Sequence, residues 1–286
     1  MAQPYGLILI LLIAPATSVR LQDGVATGAK QARKVPLTRT VKLPVIQLSS
    51  PNANEKQGNP AALEVWPGAE DELPEGPSGF DVFADGSFVI ADPLSLRLVV
   101  YDAQGNFKRA LPVGFAADSV TVTNEGMILA REANTDAVHP LDREGKPLEQ
   151  APKLSPMPEA TLVRGENKGS ISVGASPGLP AGTLAVRFDE KGSTMVSLQA
   201  IGTDSGLGMF VALEATVPEG GADGIDVRKM VQRYSPQGVL VAESAWIPLD
   251  YFVPPVDELR VRKGIVYQLM TTRTEVRVNE WDMNER

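Results

Sequence analysis

The amino-acid sequence predicts an all-β fold, a β-propeller in which short four-stranded sheets repeat around a central axis. One pattern occurs five times: a glycine, a short apolar strand, and a second strand that ends at an aromatic or apolar residue next to Asp or Ser. The copies begin at Gly86, Gly126, Gly169, Gly208 and Gly264. Their second strands end at Tyr101-Asp102, Leu141-Asp142, Phe188-Asp189, Tyr234-Ser235 and Trp281-Asp282, at intervals of 40, 47, 46 and 47 residues. Strand repeats of this length are typical of propeller blades.

The first copy contains every strand of the repeat. Phe80 to Phe83 is predicted as the inner strand, and Asp85-Gly86 as a hairpin turn, because glycine adopts the positive φ that tight hairpins require. Strands over Ser87 to Ala91 and Leu98 to Tyr101 follow, and Phe107 begins a fourth strand after a turn. The apolar inner segments fit sheets that neighbouring blades cover on both faces.

The later copies keep the order of strands but vary in their connections. The second copy has strands over 120–122, 127–130 and 138–141, and the third over 161–163, 170–173 and 183–188. Between Gly192 and Gly208 there are few residues for two strands. The fourth copy carries a Pro- and Gly-rich insertion at Val217 to Gly224, and the fifth has strands over 258–261, 265–270 and 275–281.

The last copy ends soon after its third strand, which predicts that another part of the chain completes it. An uncovered sheet edge promotes aggregation, so we expect the N-terminal region to donate the outer strand. Val41 to Leu48 and Leu63 to Trp66 are the two candidates. This interpretation gives five blades, closed by an N-terminal strand. The alternative is six blades, with a degenerate blade built in part from residues 40 to 70.

The N-terminus has the pattern of a secretory signal peptide over residues 1–16. An apolar run from Gly6 to Ile13 is followed by Ala14-Pro15-Ala16, and the run is too short for the roughly 20 apolar residues of a membrane span. We therefore expect a basic, Pro-containing arm over 17–60, a propeller over 61–286, and no transmembrane segment in the mature chain. The sequence has neither Cys nor an N-glycosylation sequon, which favours a bacterial periplasm or the cell exterior.

The charge distribution excludes nucleic acid as a partner. The chain carries a net charge of −8, although Val19 to Pro60 holds seven basic residues against two acidic ones. The rest of the chain is therefore strongly acidic, and a phosphate backbone requires a basic face. The arm can contact anionic lipid or an acidic partner, or it can be a linker that folds against the acidic body of the same chain.

Two segments of the first copy carry a family pattern, Gly86 to Asp92 (GSFVIAD) and Arg97 to Gly105 (RLVVYDAQG). They resemble a blade of the NHL-type propellers; the match extends over residues 77 to 111 and weakens in the second copy. That group is similar in fold to the gluconolactonase and regucalcin-like propellers. The resemblance implies a propeller, and it implies binding or scaffolding more than any one reaction. The axial metal ligands of the lactonases cannot be placed residue by residue here, and the several zinc-binding histidines of the lyase-type members contrast with a single His139.

Three carboxylates occupy equivalent positions, six residues after the opening glycine of their copies: Asp92, Glu132 and Glu214. Equivalent positions of successive blades lie at similar height, so these side chains are candidates for a ligand site or a Ca²⁺ site. The competing interpretation is that they bind loop amides or pair with Arg97 and Arg131. The repeated turn residues, such as Asp102, are expected to be structural, because an Asp side chain stabilises a turn by a hydrogen bond to the backbone two residues further on.

The remaining sequence features are poor in catalytic signals. His139 is the only histidine, and we expect it to be a packed or surface residue rather than a catalytic one. Trp246, Tyr251 and Phe252 either form an apolar contact patch or fill the space between the fourth and fifth blades. The sequence thus predicts an exported, non-catalytic propeller that binds a protein, a glycan or another ligand. The alternative is a metal-dependent, lactonase-like hydrolase.

Overall fold

A computed structural model describes residues 32–51, 59–135, 137–150, 159–162, 167–173, 182–188, 190, 192–204, 208–218 and 225–284. These residues form 21 β-strands in six sheets and a single 3₁₀ helix at Pro93–Ser95, which confirms the all-β prediction. No helix in these ranges is long and apolar enough to cross a membrane. The predicted signal peptide, Asp189 and residues 219–224 of the predicted insertion lie outside the described residues.

Four short strands precede the first repeat. They are β1 (Arg33–Val35), β2 (Arg39–Leu43), β3 (Val45–Gln47) and β4 (Leu63–Val65).

The first repeat forms sheet 1, an up-and-down sheet in sequence order. Its strands are β5 (Phe80–Val82), β6 (Phe88–Asp92), β7 (Arg97–Tyr101) and β8 (Phe107–Pro112). Every residue of β5 and β6 is buried, as expected for strands covered on both faces. Gly86 has a φ of 83° and its N–H donates to the Phe83 carbonyl, which closes the hairpin that the Asp85-Gly86 pair predicts.

Sheets 2 and 3 each contain three strands within the described residues. Sheet 2 consists of β9 (Ala117–Val122), β10 (Ile128–Glu132) and β11 (Val138–Leu141), and sheet 3 of β12 (Glu159–Leu162), β13 (Lys168–Val173) and β14 (Gly182–Arg187). Gly169 does not open a hairpin, because it lies inside β13 and pairs with Leu162 and Val186 on both sides. The third glycine of the repeat is therefore a strand residue, unlike Gly86.

Sheet 4 contains the longest strands among the described residues. It consists of β15 (Thr194–Asp204), β16 (Gly208–Pro218), β17 (Ile225–Tyr234) and β18 (Leu240–Ser244), with β1 as a fifth strand. The short stretch between Gly192 and Gly208 holds one 11-residue strand instead of two. That strand begins sheet 4, so within the described residues sheet 3 has no outer strand from this stretch.

Sheet 5 combines the C-terminal strands with an N-terminal one. Its strands are β19 (Leu259–Arg262), β20 (Ile265–Thr271) and β21 (Val276–Asp282), and β2 pairs antiparallel with β21. The first of the two candidate N-terminal segments therefore supplies the outer strand, in the register Arg39 to Glu280 and Leu43 to Val276.

The predicted strand over Val41 to Leu48 is divided into two at Pro44. This residue has no N–H to donate, and its carbonyl accepts from the Leu63 N–H. Strand β3 beyond it pairs in parallel with β4, and β1 pairs in parallel with β18. The N-terminal segment thus belongs in turn to sheet 4, to sheet 5 and to the β3–β4 pair.

The sheets pack face to face in the spatial order 2, 1, 5, 4, 3. Their first strands are neighbours: β9 lies against β5, β5 against β19, β19 against β15, and β15 against β12. A separate apolar core fills each of these four interfaces. Each sheet thus buries apolar surface against its neighbours that it could not bury alone.

The turns between the third and fourth strands confirm the structural role of the repeated aspartate. Asp102 accepts from the N–H groups of Gln104 and Asn106, and Asp142 accepts from the Lys146 N–H. Ser235 has the same role in sheet 4, where its hydroxyl accepts from Val239.

Candidate functional site

Asp92 is fully buried at the end of β6 and binds the segment that precedes sheet 1. One carboxylate oxygen accepts from Arg97 Nε at 2.9 Å, and the other accepts from the Glu64 N–H at 3.2 Å. Arg97 also donates to the Ala62 carbonyl, and the Tyr101 hydroxyl donates to the Ala61 carbonyl. These contacts match the competing interpretation of Asp92, an acid that pairs with Arg97 and a backbone amide.

Glu132 lies at the end of β10 and contacts the only histidine. His139 Nε2 is 3.2 Å from Glu132 Oε2, and the imidazole stacks on Phe115 with ring centroids 4.1 Å apart. Both side chains are more than a third exposed. The histidine therefore lies at the surface of sheet 2.

Glu214 lies in β16 and faces a cavity. Its Oε1 is 2.6 Å from Lys229 Nζ, in the neighbouring strand. Asp92, Glu132 and Glu214 therefore lie in three different sheets, each with a different partner. Across the described ranges, no group of three or more His, Cys, Asp or Glu side chains is arranged to hold a metal ion. The structure does not bring the three predicted carboxylates together.

The cavity beside Glu214 lies between sheets 4 and 5, and we call it the inter-sheet cleft. Its volume is about 290 Å³, near the lower end of the usual size of small-molecule pockets. Its polar lining comes from Ser197, Gln199, Glu214, Lys229, Asp257, Glu258 and Arg260. Its apolar lining comes from Ala200, Ile201, Ala212, Leu213, Pro255, Val256 and Leu259.

The two cationic side chains of the cleft each pair with carboxylates of its lining. Lys229 lies between Glu214 and Glu258 and is nearly buried. Burial lowers the pKa of Lys229, but the hydrogen bonds and charges of the two glutamates outweigh it, so the pKa is raised overall. Burial and the adjacent Glu258 also raise the pKa of Tyr251, whose hydroxyl donates to that carboxylate. Both groups are thus held in the protonated form at neutral pH.

A chain of hydrogen bonds leads from the cleft to the N-terminal strand. Gln268 Nε2 donates to the Tyr251 hydroxyl at 2.7 Å, and Asn279 Nδ2 donates to Gln268 Oε1 at 3.0 Å. The Thr40 hydroxyl of β2 donates to Asn279 Oδ1 at 2.9 Å. Gln268 and Asn279 are buried, so the polar network crosses sheet 5 from β20 through β21 to β2.

Two arginines of β19 connect the first strands of three sheets. Arg260 donates to the carbonyls of Phe80 and Val120 and pairs with Asp257 at 2.5 Å. Arg262 donates to the carbonyls of Val82 and Val122. Sequence reasoning did not identify this group.

A signal for this group is nevertheless present in the sequence, because Asp81 interrupts the apolar inner strand of the first repeat. The Asp81 carboxylate is buried, accepts from the N–H groups of Val82 and Val122, and lies 3.9 Å from Arg260 and Arg262. Burial raises its pKa, and the arginines oppose that shift. An acid within an inner strand requires a cation from a neighbouring sheet.

The three aromatic residues before Asp257 do not form a common patch. Trp246 is partly exposed, with Phe188 at its edge and the Arg228 guanidinium over its ring. Tyr251 belongs to the cleft network, whereas Phe252 packs on the core between sheets 5 and 1.

We expect Asp92 to make stability depend on pH. Burial raises its pKa to about 7, although Arg97 opposes this shift. In the unfolded chain the pKa of an Asp is about 3.9. Between these values the folded state retains a proton that the unfolded state has lost, so the free energy of unfolding falls as pH rises through this window. The free energy of unfolding is expected to fall by at most about 4 kcal/mol, which is equivalent to a shift of some three pKa units.

Urea unfolding at pH 4.5 and 7.5 tests this dependence. Asp92→Asn should reduce the difference in unfolding free energy between the two pH values, and substitution of the exposed Glu144 by Gln should leave it unchanged. An equal pH dependence in Asp92→Asn and the wild type would assign the effect to other groups, such as Asp81.

Comparison with known proteins gives similarity to solved structures only. The sequence matches no known family profile, and it matches no curated protein. A gluconolactonase from Xanthomonas campestris is 13% identical over 71% of this chain and 86% of its own, with a TM-score of 0.33. A streptogramin B lyase is 12% identical over 73% of this chain and 84% of its own, with a TM-score of 0.28. BamB from Moraxella catarrhalis is 13% identical over 74% of this chain and 84% of its own, with a TM-score of 0.24.

Proposed function

We propose that this protein is an exported, non-catalytic β-propeller that binds a ligand in the inter-sheet cleft. Sheets 1 to 5 are the blades in this proposal, and β2 completes the fifth one. The β3–β4 pair is then a filler between sheets 5 and 1, where Leu63 and Val65 join the apolar core. Export rests on the signal-peptide pattern of residues 1–16, with release into the periplasm or the medium.

The observation that carries the binding role is the protonated form of Lys229, which lines the cleft, and of Tyr251, which donates to the lining residue Glu258. A lysine or tyrosine that acts as a general base needs a pKa lowered toward neutrality. Lys229 and Tyr251 have pKa values raised by their surroundings. The cleft therefore offers fixed charges and hydrogen-bonding groups that suit recognition better than proton transfer.

A ligand panel tests the binding role on mature protein, residues 17–286. Thermal unfolding is measured with neutral sugars, organic acids, amines and amino acids, because a ligand that binds only the folded state adds about 2.7 kcal/mol of stability at a hundred times its Kd. We expect a saturable shift with at least one compound. Ser197→Trp should abolish the shift by filling the cleft, whereas Val196→Trp, at an exposed neighbouring position outside the cleft, should retain it. A panel without any such ligand would contradict the proposal.

The alternative function is a metal-dependent, lactonase-like hydrolase that uses Asp92, Glu132 and Glu214. It predicts hydrolysis of lactones by purified protein and a melting temperature that rises when Ca²⁺ is added after EDTA. Because the three carboxylates have separate partners, we expect neither effect. Calcium-dependent turnover that is lost in Glu214→Gln would overturn the non-catalytic proposal.

A further inference from the structure

We propose that the inter-sheet cleft binds a small organic cation, a primary alkylammonium compound, beside Glu214. This inference rests on the proposed function, since it names the ligand class of the same cleft. It follows from the charge of the lining, from a carboxylate oxygen without a partner, and from the apolar walls.

The charge of the lining is the first observation. The cleft is lined by three carboxylates and two cationic groups, so one negative charge is not compensated within it. Arg260 is not available to a ligand anion, because its donors are directed to two backbone carbonyls and to Asp257. Lys229 is likewise held between Glu214 and Glu258. A ligand that enters the cleft therefore meets an excess of negative charge.

Glu214 provides the point of contact. Its pairing with Lys229 is through Oε1, and within the described part of the chain its Oε2 accepts no hydrogen bond. Its side chain is 29% exposed and lines the cleft. Ser197 lies directly opposite in the adjacent strand, and Gln199 follows on the same wall. Neither side chain has a hydrogen-bond partner among the described residues. An ammonium group has three donors, and these three side chains offer three acceptors.

The rest of the lining favours an organic cation over a metal ion. Ca²⁺ takes six to eight oxygen ligands, as a rule, and the free acceptors beside Glu214 are too few for that number. Ile201, Pro255 and Val256 provide apolar surface, against which the methylene groups of an alkylammonium can lie. The net charge of −8 attracts cations to the protein as a whole.

Titration calorimetry with 1,4-diaminobutane tests the inference at constant ionic strength. The matched probes are 1,4-butanediol, which lacks the charge, and succinate, which reverses it. We expect saturable binding of the diamine with one site per chain, and none of the diol or of succinate. Glu214→Gln should lower the affinity for the diamine at least tenfold. Glu144→Gln, at an exposed position outside the cleft, should leave that affinity unchanged.

A second variant keeps the test decisive if Glu214→Gln disturbs folding. The double substitution Ser197→Ala and Gln199→Ala removes two side chains that have no described hydrogen bond in the folded protein. It should also lower the affinity for the diamine. Equal binding of the diol, or unchanged affinity in every cleft variant, would overturn the inference. If Ser197→Trp blocks a neutral or acidic compound while no amine binds, the cleft remains a binding site and the ligand class proposed here is wrong. If no compound binds, both proposals fail.

Discussion

Replacement of Val41 by Asp is expected to lower the free energy of unfolding by about 4 kcal/mol or more, because it places a charge in an apolar core. Val41 is 5% exposed and packs in the core between sheets 5 and 1. The fit there is close: a Cβ on Gly105, in the adjacent turn of sheet 1, would lie 2.6 Å from Val41 Cγ1. Detachment of β2 would also expose the edge of β21, which promotes aggregation. Urea unfolding measures the loss of stability, and size-exclusion chromatography at increasing protein concentration measures the aggregation.

Lys42 provides the matched control, since it is the next residue of the same strand and points to solvent. Its salt bridge to Glu275 is exposed, and such pairs contribute at most about 1 kcal/mol. Lys42→Thr should therefore leave both stability and oligomeric state nearly unchanged. If Val41→Asp were as stable as Lys42→Thr, β2 would not be part of sheet 5 in solution.

Replacement of Arg260 by Ala should destabilise the protein by about 3 kcal/mol, the lower end of the cost of removing one partner from a buried ion pair, because Arg260 is partly exposed. The change would leave the Asp257 carboxylate without its cation, and it would leave the Phe80 and Val120 carbonyls without the guanidinium donors. Because Arg260 connects β19 to β5 and β9, we expect the loss to appear in the unfolding of the whole chain rather than of one sheet. Urea unfolding followed by both tryptophan fluorescence and circular dichroism measures this.

Arg273→Ala is the control for the charge itself. Arg273 is exposed, and its guanidinium lies over the Phe252 ring, a contact worth about 1 kcal/mol or less at such a site. Asp257→Asn in the Arg260→Ala background should recover part of the lost stability, because it removes the uncompensated carboxylate. Equal stability of the Arg260 and Arg273 variants would show that Arg260 is not needed to join the three strands.

The strands were predictable wherever local chemistry specifies them. Gly86 fixes a turn through its positive φ and Asp102 fixes another through its carboxylate, so sheet 1 could be predicted almost to the residue. The third copy was harder, because Gly169 has the spacing of a turn residue but lies in a strand paired on both sides. The division at Pro44 depends on two pairings with distant segments, which local sequence cannot specify.

The candidate site was less predictable than the fold. Equivalent positions in the repeat indicated Glu214, and the structure places it in the cleft. The same reasoning also chose Asp92, whose role depends on Arg97 and on a segment some 30 residues earlier. Lys229, Glu258 and Arg260 do not occupy corresponding positions in the repeats, and three-dimensional packing alone brings them together. The sequence repeat predicts the strands and turns that the sheets have in common, whereas the cleft is formed by side chains that differ from sheet to sheet.

The pairing of β2 with β21 also determines the order in which this protein can fold. Arg39 lies opposite Glu280, so β2 and β21, which are neighbours in sheet 5, are separated by almost the whole chain. Residues 39–43 have no partner in that sheet until the ribosome has synthesised β21. Contacts at such sequence distance make folding slow, because a long loop must close before they form. Sheet 5 therefore cannot be completed until synthesis has passed residue 282, and until then the outer edge of its position stays unpaired.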